Sequence, residues 1–144
     1  MRSWTRIIIV GIYMLAAMFF FSGATKVIWN HAFERALRSY PVALSAVQMK
    51  SVMVGLPVLE LALAGLVCTR RLRTISLYAM LFLLVAFTVL QIKVKVLGLD
   101  ITCGCFGRWS PPIGYRTIVT NLILVTFSVA ALCSTGAEQA KEQV

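Results

Sequence analysis

The sequence predicts an all-α integral membrane protein, a four-helix bundle, and two observations carry that prediction. Apolar residues make up 60% of the 144-residue chain and charged residues only 13%, a balance foreign to a soluble domain. The apolar residues gather into four runs, at about 7–27, 45–68, 75–96 and 117–133, each close to the roughly 20 residues an α-helix needs to cross a bilayer. Only helices suit such runs, because a lipid-embedded segment must satisfy its own backbone hydrogen bonds. The chain reads as a single four-span domain over residues 1–144.

The net charge of +9 does not point to nucleic acid. The basic residues are scattered among apolar runs and form no stripe with interleaved aromatics. The lipid bilayer, with its anionic head groups, is the expected counter-charge.

The first run follows Arg2 and Arg6 and closes on Ser22-Gly23-Ala24-x-Lys26, small residues that allow close helix approach beside a cation. The same run also fits a cleaved signal peptide. Across 31–40, Phe33, Leu37 and Tyr40 recur at helical spacing and Glu34 and Arg38 form an i,i+4 pair on another face, the pattern of a short interfacial helix.

The second run is expected to start near Val42, behind Pro41, and it contains Pro57 and Glu60. Pro57 removes a backbone donor. An acid at this depth costs on the order of a few kcal/mol, so Glu60 is expected to face the bundle interior, either paired or protonated. Lys26 is its candidate partner, provided it bends inward. In the third run Thr88, Gln91 and Lys95 share a face, and Thr117 and Asn121 of the fourth run stand at matching heights. With Lys26 they outline a cavity, or else serve as hydrogen-bonding contacts between helices. Ser134 to Val144 reads as a frayed polar tail.

The dense Arg70-Arg71-x-Arg73 hairpin and the Arg2/Arg6 pair favour cytoplasmic N- and C-termini. Lys26, Arg35, Arg38, Lys50, Lys93, Lys95, Arg108 and Arg116 then fall on the opposite side. The loop at about 98–116 faces the periplasm or cell exterior in this orientation, an oxidising compartment.

That loop holds the most specific motif, Cys103-Gly104-Cys105-Phe106-Gly107, while Cys68 and Cys133 end apolar runs and read as core fillers. A structural disulfide across one residue gains almost nothing in chain entropy. It would be a small, strained and readily reduced ring. Lys93, Lys95, Arg108 and Arg116 place positive charge nearby, which favours the nucleophilic thiolate. Cys103 and Cys105 are therefore the candidate catalytic pair. Gly104 is the hinge between them, Phe106 and Gly107 are turn and packing residues, and Glu60, Lys26, Lys95 and Arg108 give support. Capture of a soft ion such as Cu(I), with Met49 and Met53 approaching, is the competing reading, although no metal site is assigned.

The ordered set Phe21-Ser22-Gly23-x-x-Lys26, Pro57-x-Leu59-Glu60 and Cys103-Gly104-Cys105-Phe106-Gly107 before a last span resembles the MauE family within the wider DoxX-like membrane proteins. The match runs from roughly Val10 to Leu132. The resemblance implies a four-helix membrane bundle tied to periplasmic thiol redox in methylamine utilisation, where the disulfide-rich small subunit of methylamine dehydrogenase is matured. It also implies a thioredoxin-like partner and a disulfide-containing client. The architecture is similar to quinone-linked disulfide generators of the vitamin K epoxide reductase kind, but this chain has Cys-x-Cys where those have Cys-x-x-Cys. No cofactor is firmly implied, and a quinone is the candidate that this similarity brings. The expected function is thiol–disulfide exchange through Cys103 and Cys105. The alternatives are a non-catalytic membrane scaffold or maturation factor, or a small copper or solute transporter.

Overall fold

The computed structural model describes residues 2–40, 45–99, 101–103 and 112–142, and the side chains of these apart from 2–5 and 136–142. Its helices are α1 (Arg2–Ile28), α2 (Asn30–Ser39), α3 (Ala46–Leu66), α4 (Arg73–Val96) and α5 (Tyr115–Glu142). All except α2 contain a stretch long and apolar enough to cross a membrane, at Arg6–Ile28, Ala46–Leu66, Arg73–Val96 and Tyr115–Thr135. The protein is a multi-pass, all-α membrane bundle.

Local chemistry sets several boundaries. Trp29 leaves helical geometry at φ −111° and ψ 53° and separates α1 from α2. Ser45 caps α3 by accepting from the Gln48 backbone N–H, and the Gln48 side chain accepts from the Ser45 N–H. This reciprocal box satisfies two donors that a helix start otherwise leaves open. The expected entry at Pro41 and Val42 lies outside the described residues. Beyond Ser134, where a frayed tail was expected, α5 runs on to Glu142. The Ala, Glu, Gln and Lys residues there are strong helix formers, so loss of apolarity does not end the helix.

The four long helices form a ring in which α1 packs on α3 and α5, and α4 packs on the same two. The ring interior is divided along its length. Towards the Arg70–Arg73 hairpin lies an apolar core of Ile12, Leu15, Phe19, Leu63, Val67, Leu77, Met80 and Leu84. Towards the cysteine loop the buried residues become polar: Thr25, Lys26, Glu60, Thr88 and Gln91. A small cluster of Val94, Ile101, Cys103 and Ile113, with Tyr40 against it, closes that end.

Two glycines set how closely the helices meet. A Cβ at Gly11 would lie 1.9 Å from the Phe127 ring, and one at Gly23 would lie 2.9 Å from Leu61 Cγ and 3.1 Å from the Pro57 carbonyl oxygen. The small-residue run of the first span therefore serves the α1–α3 contact, as its composition suggested. Cys68 and Cys133 depart from expectation, since both are exposed and neither fills the core. Their neighbours Val67 and Ala131 face inward instead, at 0% and 1% exposure, so each helix turns its cysteine outward.

Gly23→Val should cost about 1–3 kcal/mol of stability by overpacking, read as a lower unfolding midpoint in a detergent thermal scan. Gly55→Ala, whose new Cβ meets nothing within 4 Å, is the control and should leave the midpoint unchanged or slightly raised. An unchanged midpoint for Gly23→Val would refute the close α1–α3 approach.

Candidate functional site

Lys26 and Glu60 sit 1% and 2% exposed on facing helices, with Lys26 Nζ 2.5 Å from Glu60 Oε1 and 2.7 Å from Oε2. The ammonium also donates to Ser22 Oγ at 2.8 Å. Helical side chains lean toward the N-terminus of their helix, so a lysine two residues from the end of α1 reaches back along the bundle and its long stem stays in apolar surroundings. Three oxygens meet the three donors of the ammonium. The rings of Phe33 and Phe87 lie 5.6 and 5.4 Å from Nζ, within cation–π range. Lys26 thus bends inward, the condition its pairing with Glu60 required.

On α4, Gln91 is 2% exposed and its Nε2 donates to Cys103 Sγ at 3.6 Å. Its Oε1 meets no hydrogen-bond partner among the described residues. Cys103 is itself buried, at 8% exposure. Backbone pairing holds it there: Thr102 bridges Pro112, Ile113 N donates to Ile101 O at 2.8 Å, and Tyr40 Oη donates to the Cys103 carbonyl at 3.3 Å. These contacts clamp the base of the loop onto the bundle end. Cys105, Gly104, Phe106, Gly107 and Arg108 lie outside the described residues.

Behind Cys103 is a cavity of about 680 Å³ between α1, α3, α4 and α5. Its walls are largely apolar, from Phe19, Leu84, Phe87 and Leu124, and Ser22, Glu60, Gln91 and Asn121 supply polar groups. Of the residues expected to outline a cavity, Gln91, Thr117 and Asn121 line it. Thr88 instead bonds back to the Leu84 carbonyl at 2.7 Å, Lys26 is taken up by Glu60 and Ser22, and Lys95 is exposed with its Nζ 5.3 Å from the Tyr115 ring centre. An amide is thus among the polar contacts of the Cys103 sulfur, and Arg116 lines the same cavity. Among the described residues, no group of three or more His, Cys, Asp or Glu could hold a metal ion.

Sequence reasoning did not single out Tyr40 as a support of Cys103, or Gln91 as the contact to its sulfur. The spacing that put Gln91 at cavity height was the available signal for the second. Nothing local ties Tyr40 to a residue 63 positions away.

Removing one member of a buried ion pair leaves a charge without its partner, a loss of about 3–5 kcal/mol. Lys26→Met and Glu60→Leu should each destabilise by that order, and the double variant should be more stable than the sum of the two predicts. A double-mutant cycle from unfolding in detergent measures this coupling. Additive losses would mean that the two charges do not act as a pair.

No curated protein and no solved structure matches the chain. Residues 5–134 match the family described as Methylamine utilisation protein MauE, and with nearly its whole length covered the chain belongs to that methylamine-utilisation family of membrane proteins.

Proposed function

We propose that the protein is a thiol–disulfide exchange component of the bacterial inner membrane, with both termini cytoplasmic and the cysteine loop in the periplasm. It oxidises a thioredoxin-like partner, which in turn forms disulfides in a client of methylamine utilisation. One observation carries the reading: the Cys103 sulfur is held in a buried position against an amide donor, at the head of a cavity. A donor to sulfur stabilises the thiolate. A stabilised thiolate is also the better leaving group in exchange.

The two sulfurs then divide the work. Cys103 is 8% exposed, too enclosed to be reached by a folded partner, so Cys105 is the sulfur that meets it. A partner thiolate attacks Cys105 Sγ of the loop disulfide, the Cys103–Cys105 bond breaks, and Cys103 leaves as a thiolate that accepts from Gln91 Nε2–H. The partner's second thiolate then attacks its own sulfur in the mixed disulfide and expels Cys105 as a thiolate. Two electrons pass to the loop, one S–S bond is lost and one is formed, and the protons released by the partner's thiols balance the charge. Glu60 and Lys26 fix the helices behind the site.

Cys103→Ser should accumulate a mixed disulfide through Cys105 with a single-cysteine partner supplied as its thionitrobenzoate mixed disulfide, thionitrobenzoate being the leaving thiolate, seen as a reducible band of summed mass. Cys105→Ser should accumulate none, and equal trapping by both would overturn the division between the sulfurs. Replacing both cysteines by serine should abolish client maturation in cells. Full maturation in that strain would make the protein a scaffold rather than an exchanger.

A further inference from the structure

We infer that the cavity is the seat of one anionic glycerophospholipid, with its phosphate at Arg116 and Lys95, its ester level at Asn121 and an acyl chain along the apolar walls. The inference stands apart from the exchange reading, because it uses neither Cys103 nor Cys105.

Depth comes first. Tyr115, Arg116 and Thr120 line the cavity and are exposed, so its mouth lies on the first turns of α5, at the start of a spanning segment. Phe19 and Leu84 line it too and are buried, so they mark its inner end. At 1.5 Å per residue, Asn121 lies about 8 Å and Leu124 about 12 Å beyond Arg116 along α5. By the same measure Phe19 lies about 14 Å from the end of α1 at Ile28, and Leu84 about 18 Å from the end of α4 at Val96. One leaflet takes up half of a hydrocarbon core about 30 Å thick. The space therefore spans about one leaflet, the one on the side of the cysteine loop.

Polarity changes along that depth in the order found in a phospholipid. Two cations stand at the mouth: Arg116 on its wall, and Lys95, whose Nζ is 5.3 Å from the ring centre of Tyr115. Neither is in an ion pair among the described residues, and Glu34 and Glu60, the acids whose side chains are described, are each paired with another base. Thr117 and Thr120 donate their hydroxyl protons to the Gly114 and Arg116 carbonyls, so the cations are what the mouth offers an anion. Asn121, half-buried in the wall below them, brings an amide to the height of the glycerol esters. Deeper still the wall is Phe19, Leu84, Phe87 and Leu124. Ser22 and Glu60 reach that wall already bonded to Lys26.

Water is a poor occupant of such a space, since each molecule needs two or more polar partners and the deep walls supply few. An acyl chain meets those walls as it meets the rest of the bilayer. The volume of about 680 Å³ suits a chain and its ester, with the remainder of the lipid outside. The cations then select the head group, because Lys and Arg at the membrane surface favour anionic lipid and a guanidinium matches the oxygens of a phosphate. A zwitterionic head brings the same phosphate with a cation of its own, which Arg116 and Lys95 repel.

The test uses the purified full chain in a nonionic detergent, with dioleoyl phosphatidylglycerol and dioleoyl phosphatidylcholine as probes and bound lipid counted by native mass spectrometry across a titration. Phosphatidylglycerol should bind saturably at one site, about fivefold or more tighter than phosphatidylcholine. Lys95→Gln/Arg116→Gln should bring the two lipids to equal affinity without lowering the thermal midpoint, since both side chains are exposed. Lys50→Gln removes a cation on α3, which does not touch α5, and should leave the preference intact. That control separates a seat from the general charge of the bundle. Leu124→Trp, which fills the cavity, should abolish binding of both lipids, and glycerophosphate, the head group without chains, should not displace phosphatidylglycerol. Absence of saturable binding, or equal affinity of the unaltered chain for the two lipids, would overturn the proposal. So would a preference that survives Lys95→Gln/Arg116→Gln or disappears with Lys50→Gln, undiminished binding by Leu124→Trp, or displacement by glycerophosphate. These variants keep Cys103 and Cys105, so the exchange reading stands or falls separately.

Discussion

A lysine ammonium and a glutamate carboxylate, each at or below 2% exposure, meet inside a helix bundle made for lipid, and that pairing constrains everything near it. Either charge alone in a spanning helix costs about 2.5–3.5 kcal/mol on insertion scales. Joined, they cancel, with Ser22 Oγ taking the remaining donor. The bond can form only where α1 and α3 nearly touch, and Gly23 provides that place by leaving no Cβ between Leu61 and Pro57. The rotation of both helices is thereby set. Phe33 and Phe87 then lie around the cation, which draws in the helix bearing Gln91.

Above this layer the bundle is finished by backbone rather than by a further turn of helix. Ile101 and Ile113 close a hydrogen-bonded bridge across the loop base, and their side chains join Val94 and Cys103 in a small apolar cluster. Burial of Cys103 is a product of that cluster, reinforced by the Tyr40 hydroxyl on its carbonyl. The cavity is what remains between the two layers, where Ser22, Gln91 and Asn121 stand in place of the leucines that fill the opposite half.

The spans were legible because a run of apolar residues has one physical meaning at that length, and Glu60 was legible because an acid in such a run demands a partner. Glu34 and Arg38 pair at 2.7 Å as their i,i+4 spacing implied. The rotation of each helix was not legible. In a soluble helix the apolar stripe identifies the buried face, but lipid is as apolar as a core, and the face turned to one looks like the face turned to the other. That is why Cys68 and Cys133 were expected inside and are found outside, next to Val67 and Ala131. The second run, set at about 45–68, begins within a residue of α3 at Ala46, and Ser45-x-x-Gln48 is the capping pattern that fixes the start. Long-range contacts such as Tyr40 to Cys103 have no local signature at all.

The spacing of the two cysteines acquires a physical reason once the cavity is considered with the loop. On the proposed reading, the loop must both meet a folded partner and hold a released thiolate against Gln91, and no single sulfur can do both. A sulfur buried against Gln91 is screened from a folded partner, and a sulfur reachable by that partner cannot also line a cavity among membrane helices. Two sulfurs separated by one glycine answer the conflict: one stays fixed by the clamp at Ile101 and Ile113, and the proposal gives the meeting with the partner to the other. The strain of so small a ring then acts in the reaction's favour, since a disulfide under strain is a stronger oxidant towards the partner that opens it.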